Sequence, residues 1–312
     1  MKSIVVVALV VATWCTTARA SVDASLPVEP LRLSPAARIV VFAPHPDDET
    51  IAVGGLLHRM VAAHATVQVV FVTNGDGYPD AVRESLHRPP RQTDYLAYGR
   101  RRQHEALAAA KRLGIPRGDV DFLGFPDGGI DALWQAHWAR TRPYTSPFTA
   151  TDMPPYGDVV DPELEYDGQD LTGALLRILE AVRPTVVILP HPDDVHPDHA
   201  ATARFVVEAV DRLQQRHVLP HDVEMLAYMV HDPSWPPTAA ETATLPPPTR
   251  VHDTHWVALP LSPAEQAAKR AALHEYASQL AVMPEFLGRF LRPNELFGRV
   301  DPSVLARIAA SH

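Results

Sequence analysis

Residues 38–63 read RIVVFAPHPDDETIAVGGLLHRMVAA. The first six are apolar and β-branched after Arg38, as in a strand buried on both faces. The run stops at Pro44-His45-Pro46, and Asp47 or Asp48 then stands where a helix N-cap belongs. From Glu49 to about Ala63 the apolar residues Ile51, Leu56, Leu57 and Met60 recur at helical spacing. A buried strand, a polar turn and a helix form half of a β–α–β unit.

The pattern recurs downstream. Strands are predicted over 65–73, 120–125, 185–189 and 224–230, and helices over 103–113, 171–182 and from His199 to about Gln215. Nearly all-apolar strands alternating with helices imply an α/β fold: a Rossmann-like, open, mostly parallel sheet with helices on both faces. Two stretches break the alternation. Residues 128–170 are rich in Pro, Trp and Tyr, and residues 232–254 contain Pro246-Pro247-Pro248. Neither shows an element, and both read as loops, the first an insertion. The tail from Ser262 to about Leu291 is helical in pattern, in two pieces around Pro284.

The chain has 312 residues, 46% hydrophobic and 21% charged, as expected of a folded globular protein. Its 31 prolines are about twice the usual share and point to rigid loops. Residues 1–20 have the form of a secretory signal peptide: Lys2, an apolar run to Cys15, and Ala18-Arg19-Ala20 before a cut that leaves Ser21 first. That run is too short for a comfortable membrane span of about 20 residues, so no stable anchor is expected after cleavage. Residues 21–36 then read as a linker, and 37–312 as one domain. The sole cysteine, Cys15, leaves with the signal, which excludes disulfides, thiolate metal sites and a cysteine nucleophile from the mature chain. The net charge of −9 becomes more negative without Lys2 and Arg19, and argues against nucleic-acid binding.

In an open parallel sheet, ligands bind beyond the carboxyl ends of the strands. The polar clusters stand there: His45-Pro46-Asp47-Asp48-Glu49 after the first strand, and 191–199, HPDDVHPDH, after the fourth. Without cysteine, a zinc ion needs nitrogen and oxygen ligands, three in a catalytic site. His45 and Asp48, three apart at a strand-to-helix turn, suit one ion, with an imidazole from the other cluster closing the set. Asp47 between them is free to take a proton from a metal-activated water. A single His-Pro-Asp cluster reads more readily as a turn with a capping Asp. Two of them at strand ends favour a metal site for amide hydrolysis.

The pair of motifs, Pro44 to Glu49 and His196-Pro197-Asp198-His199, resembles the PIG-L/LmbE-like family of zinc-dependent de-N-acetylases, over about residues 38–300. The resemblance implies one zinc ion per chain, with another divalent metal acceptable, held by His45, Asp48 and His199. It implies Asp47 as general base and His196 as the imidazole assisting the tetrahedral intermediate, oriented by Asp198. It further implies Arg102 and Asp127 on the substrate side, with Asn74-Gly75 as the family's second turn. Some members carry a tyrosine where this chain has Asp194, which is accordingly placed with the substrate-binding residues. His191, in an extra His-Pro-Asp-Asp copy, is expected as a wall or supporting residue rather than a ligand. The implied substrate is a small or oligomeric N-acetyl amino sugar.

The motifs define the water-activating parts and not the acyl acceptor. Hydrolysis of a nonsugar amide or an ester is therefore the alternative, and a noncatalytic carbohydrate-binding protein a further one. Trp134, Trp138, Tyr144 and Tyr156 suit either a sugar site or packing of the insertion. Tyr276, Ser278 and Gln279 read as structural, and His231, His252 and His255 as solvated loop histidines.

Overall fold

The computed structural model describes residues 28–84, 86, 88–238 and 243–300. The expected signal peptide and its cleavage site lie outside these residues. Among the described residues, no helix is long and apolar enough to cross a membrane.

The elements follow in order β1 (Glu29–Pro30), β2 (Arg38–Ala43), α1 (Asp48–Ala62), β3 (Thr66–Thr73), α2 (Pro79–Glu84), α3 (Gln92–Leu113), β4 (Val120–Phe125) and α4 (Ile130–Gln135). Then come α5 (Gly168–Val182), β5 (Val186–Pro190), α6 (Pro197–Gln215), β6 (Glu224–Tyr228), β7 (His255–Pro260), α7 (Pro263–Leu273), α8 (Ala277–Leu280), α9 (Pro284–Gly288) and β8 (Asn294–Arg299). One sheet runs β1-β7-β8-β6-β5-β2-β3-β4. From β6 to β4 the pairs β6–β5, β5–β2, β2–β3 and β3–β4 are parallel; β8 runs antiparallel to both β6 and β7. This is the mostly parallel open sheet that the apolar strands imply.

The pleat divides the core. Ile39 and Val41 of β2 face α1, α3 and α7, while Val40 and Phe42 face α4, α5 and α6. Helix starts are encoded locally. Asp167 caps α5 by accepting the N–H of Asp170 at 2.8 Å, and Ser262 and Glu265 form a capping box on α7.

The chain goes β2, β3, β4 outward in one direction, then returns to place β5 on the other side of β2. Ile39 pairs with Val186, Val40 with Val187 and Val41 with Ile188. The gap between β2 and β5 is thus the switch in strand order, and both polar clusters leave the sheet there.

Four local expectations need correction. The linker is ordered in part, since Glu29–Pro30 adds to the sheet edge beside Val257 and Ala258. Helix α3 begins at Gln92 rather than 103, because its first half is polar and buries only Tyr98, Gly99 and Arg102. The insertion contains α4, and the tail splits into α7, α8 and α9. Strands β7 and β8 were not legible. In β8 the pattern is hidden by Asn294 and Glu295, polar but buried and internally paired.

Glu295 shows why such a residue is tolerated. Its carboxylate accepts the N–H groups of Gly55 and Leu56 at 2.7 and 2.8 Å, and the Lys269 ammonium at 2.7 Å. It ties β8 to α1 and α7. Removing one partner of a buried pair leaves an uncompensated charge. Glu295→Ala should therefore lose about 3–5 kcal/mol of stability, read from urea unfolding. A loss under about 1 kcal/mol would mean that water replaces the carboxylate.

Candidate active site

Strand β2 delivers His45 and then a tight turn into α1. Asp47 sits in that turn at φ 133°, a conformation unfavourable for a residue with a Cβ. Such strain costs on the order of 1–3 kcal/mol and persists only where neighbours enforce it. They do so here. The Asp47 N–H donates to Glu49 Oε2 at 3.1 Å, and its carbonyl accepts from Thr50 and Ile51 at 3.0 and 2.9 Å. Glu49 in turn accepts from Thr50 and Tyr276. Arg102, buried on α3, donates to the carbonyls of Gly75 and Pro46 and to Asp47 Oδ2, the last at 3.2 Å.

Strand β5 delivers the second cluster. His196 is the N-cap of α6, its Nδ1 accepting the Asp198 N–H at 3.3 Å, and Pro197 follows at the first helical position. His199, one turn in, faces back to β2. His45 Nδ1, Asp48 Oδ2 and His199 Nε2 form a nearly equilateral triangle with edges of 3.4, 3.2 and 3.3 Å. Tetrahedral zinc bonds of about 2.0–2.1 Å put ligand atoms about 3.3–3.4 Å apart. The triangle therefore has the dimensions of one face of a zinc tetrahedron.

The outer nitrogens complete the fit. His45 Nε2 lies 3.2 Å from Asp127 Oδ1 and 3.3 Å from Asp198 Oδ2, and His199 Nδ1 lies 3.2 Å from Asp194 Oδ2. Carboxylates behind ligating imidazoles fix the tautomer and strengthen the ligand. A second group, His45 with His196 and Asp198, is also close enough for a cation. Its Asp198 oxygens accept the N–H groups of Gly128 and Ile130 at 2.7 and 3.0 Å, as Asp48 Oδ2 accepts that of His45 at 2.9 Å, and His196 Nδ1 already accepts the Asp198 N–H.

Charge follows from this crowding. Burial opposes protonation of His199, but Asp48 and Asp194 outweigh it and hold the imidazole up at about 9. Burial also opposes charge on His45, and Asp127 with Asp198 and Asp48 overcomes it. Asp48 is held well below the usual range: burial opposes this, and His199 and His45 prevail. Asp47 is pushed up to about 7 by burial, with Arg102 pulling the other way. His196 is pushed down to about 4 by burial and by the neighbouring imidazoles.

A cleft of about 270 Å³ opens onto the triangle. Its polar lining includes His45, Asp47, Asp48, Arg102, Asp127 and His196, and its apolar lining Ile51, Val230, Met283, Phe286 and Leu287. Arg102 and Asp127 are thus at the cleft, though Asp127 also accepts the Gly77 N–H at 2.7 Å.

Two expected roles do not match the geometry. Asp194 does not line the cleft: its oxygens accept the N–H groups of His196, Val230 and His231 and face His199. It supports the site from behind His199. The Asp198 carboxylate sits on His45 and the 128–130 backbone; only its N–H reaches His196. His191 lies outside the triangle. It bonds Thr254 at 2.9 Å, stacks on Trp256 and lines a separate pocket. The insertion aromatics pack: Trp134 and Trp138 meet Phe205, and the Tyr156 hydroxyl donates to Asp76.

His231 and Gln279 line the cleft without having been singled out for it. Gln279 had no usable signal. His231 had one, as it stands just beyond the carboxyl end of β6, the placement that marks His45.

A family model described as GlcNAc-PI de-N-acetylase (PIG-L) matches residues 40–210. The chain belongs to the PIG-L family. A 1D-myo-inositol 2-acetamido-2-deoxy-alpha-D-glucopyranoside deacetylase of Mycobacterium sp. (strain KMS) is 31% identical over 179 residues, 57% of this chain and 51% of the relative. The chain spans about half the length of the curated relatives it matches. Among solved structures, a deacetylase of the teicoplanin biosynthetic pathway aligns over 85% of this chain and 99% of its own, with TM-score 0.53 and 19% identity. The 4-carboxy-2-hydroxymuconate hydratase GalB of Pseudomonas putida KT2440 aligns over 85% and 97%, with TM-score 0.50 and 17% identity. These likenesses establish the fold, and GalB shows that the PIG-L fold does not itself dictate the reaction.

Two outcomes test the metal site. Zinc must displace the protons that the carboxylates hold on His45 and His199. Binding to the metal-free chain should release protons, with apparent affinity rising with pH until about 9. Chelator competition across that range checks it, and a flat profile would contradict it. Asp194→Asn should weaken zinc binding about 10–100-fold while leaving the fold intact.

Proposed function

We propose that this PIG-L chain is an exported, zinc-dependent hydrolase that removes the N-acetyl group from an N-acetylglucosamine-type sugar or glycoconjugate. One observation carries the metal chemistry: the 3.2–3.4 Å triangle of His45, Asp48 and His199, with the Asp47 carboxylate beside it at the head of an open cleft. Family membership and the deacetylase relatives support the sugar amide. The form of residues 1–20 supports export.

A zinc ion bound there would supply Lewis acidity, polarising the amide carbonyl and bringing the pKa of a bound water to about 7. The chain's own groups do the rest. Asp47, fixed by its strained turn and by Arg102, takes a proton from the attacking water. His196 keeps Nδ1 occupied by the Asp198 N–H, so in its neutral form the ring proton is on Nε2, available to the reacting amide. Arg102 and Asp127 offer opposite charges to the sugar's polar groups at the cleft wall.

Asp47→Asn should retain zinc and fold but lose about 10²–10⁴-fold in turnover, because it removes the general base. Acetate release from a panel of N-acetylglucosamine conjugates and chitooligosaccharides, with and without zinc, reads both points. Metal-independent release, or an unimpaired Asp47→Asn, would refute the mechanism. Turnover confined to nonsugar amides would refute the sugar assignment and leave the hydrolase.

A further inference from the structure

The cleft holds a third imidazole that the mechanism above does not use. His231 follows β6 and sits between the second cluster and α9. Its ring centroid is 4.7 Å from that of His199 and 5.0 Å from that of His196, and it stacks on Phe286 at 5.6 Å with an interplanar angle of 9°. Among the described residues, neither ring nitrogen has a hydrogen-bond partner, while the ring borders the same open space as His45, Asp47 and His196. A stacked ring keeps its N–H bond in its own plane, clear of Phe286.

The backbone holding this ring is fixed on two sides. Asp194 Oδ2 accepts the N–H groups of Val230 and His231 at 3.1 and 2.9 Å, and the His231 carbonyl accepts from Val195 at 3.0 Å. The same Asp194 carboxylate accepts the His196 N–H at 2.9 Å and faces His199. One buried acid therefore sets His196, His199 and His231 in register, as a preorganised site requires.

Amide hydrolysis develops charge at two atoms, the carbonyl oxygen and the departing nitrogen. Neutral His196 has one ring N–H to give, since Nδ1 already accepts from the Asp198 backbone. A bound zinc ion would polarise the oxygen, and a second donor about an imidazole's width from His196 would share the charge that develops there. We propose that His231 is a catalytic residue: its imidazole N–H donates a hydrogen bond to the amide oxygen as that oxygen gains negative charge, leaving His196 for the nitrogen. No proton is transferred by His231 in this role. The assignment rests on the amidohydrolase reading of the cleft.

The test uses the full zinc-loaded chain with His231→Phe, which keeps a flat ring against Phe286 but removes the donor, and His231→Gln, which restores an N–H. Steady-state acetate release, zinc content and thermal unfolding are measured for each. In His231→Phe, kcat should fall about 10²-fold with KM, zinc content and unfolding unchanged, and His231→Gln should recover at least about tenfold of that loss. An unchanged kcat in His231→Phe overturns the assignment. So does a loss matched by loss of zinc, which would make His231 only a packing neighbour of His199. Binding of a methylphosphonamidate, the tetrahedral anionic analogue of an N-acetyl amine, decides the matter without turnover. His231→Phe should bind it about 10²-fold more weakly than the wild type; equal binding, or none by the wild type, overturns the proposal. A wild type that binds this analogue but hydrolyses no N-acetyl sugar refutes the proposed function alone.

Discussion

The pairing of β2 with β5 is the constraint on which the site depends. Each strand ends in a polar turn that has no partner of its own, and neither turn holds more than part of a metal site. Parallel pairing in the register Ile39 to Val186 brings the two turns out at one edge, where the strand order reverses. A slip of one residue would exchange the faces of the whole strand. Ile39 and Val41 would leave one apolar layer for the other, so core packing and ligand geometry are enforced together. The 3.2–3.4 Å triangle is a product of sheet register as much as of motif.

Around that triangle the chain places acids according to distance from the cleft. Asp48 is in the triangle, Asp127 and Asp198 stand behind His45, and Asp194 stands behind His199. Asp47 lines the cleft beside Asp48 and Asp127, and of these three it has the strained backbone. The strain is opposed by Glu49 and Arg102, which meet the turn from different directions. The arrangement is braced on the side of the protein and open on the side of the cleft, as a site that positions its reacting groups requires.

Much of this was legible in the residues. Apolar strands identified the sheet, and the polar clusters at their ends marked the two turns that the structure brings together, because burial on both faces leaves a strong pattern. The roles of Asp194 and Asp198 were not legible. Both lie in the same short motif, and whether a carboxylate faces substrate or backbone depends on the β6 and 128–130 segments that pack on it. The strand β8 was hidden for a related reason, since Asn294 and Glu295 make sense as buried residues only once their partners are known. His231 was obscured by reading its neighbourhood as a proline-rich loop, when its position after β6 had the same significance as that of His45.

The segment 276–287 lies beyond the residues that the family model covers, yet Tyr276 bonds the Glu49 that holds Asp47, and Met283, Phe286 and Leu287 line the cleft. One short stretch thus both braces the Asp47 turn and lines the cleft. Changes that adapt the wall to a new ligand act through the same few turns of chain that maintain the base. A substitution in 276–287 that reshapes the cleft is therefore expected to reach the Asp47 turn as well, through Tyr276 and Glu49.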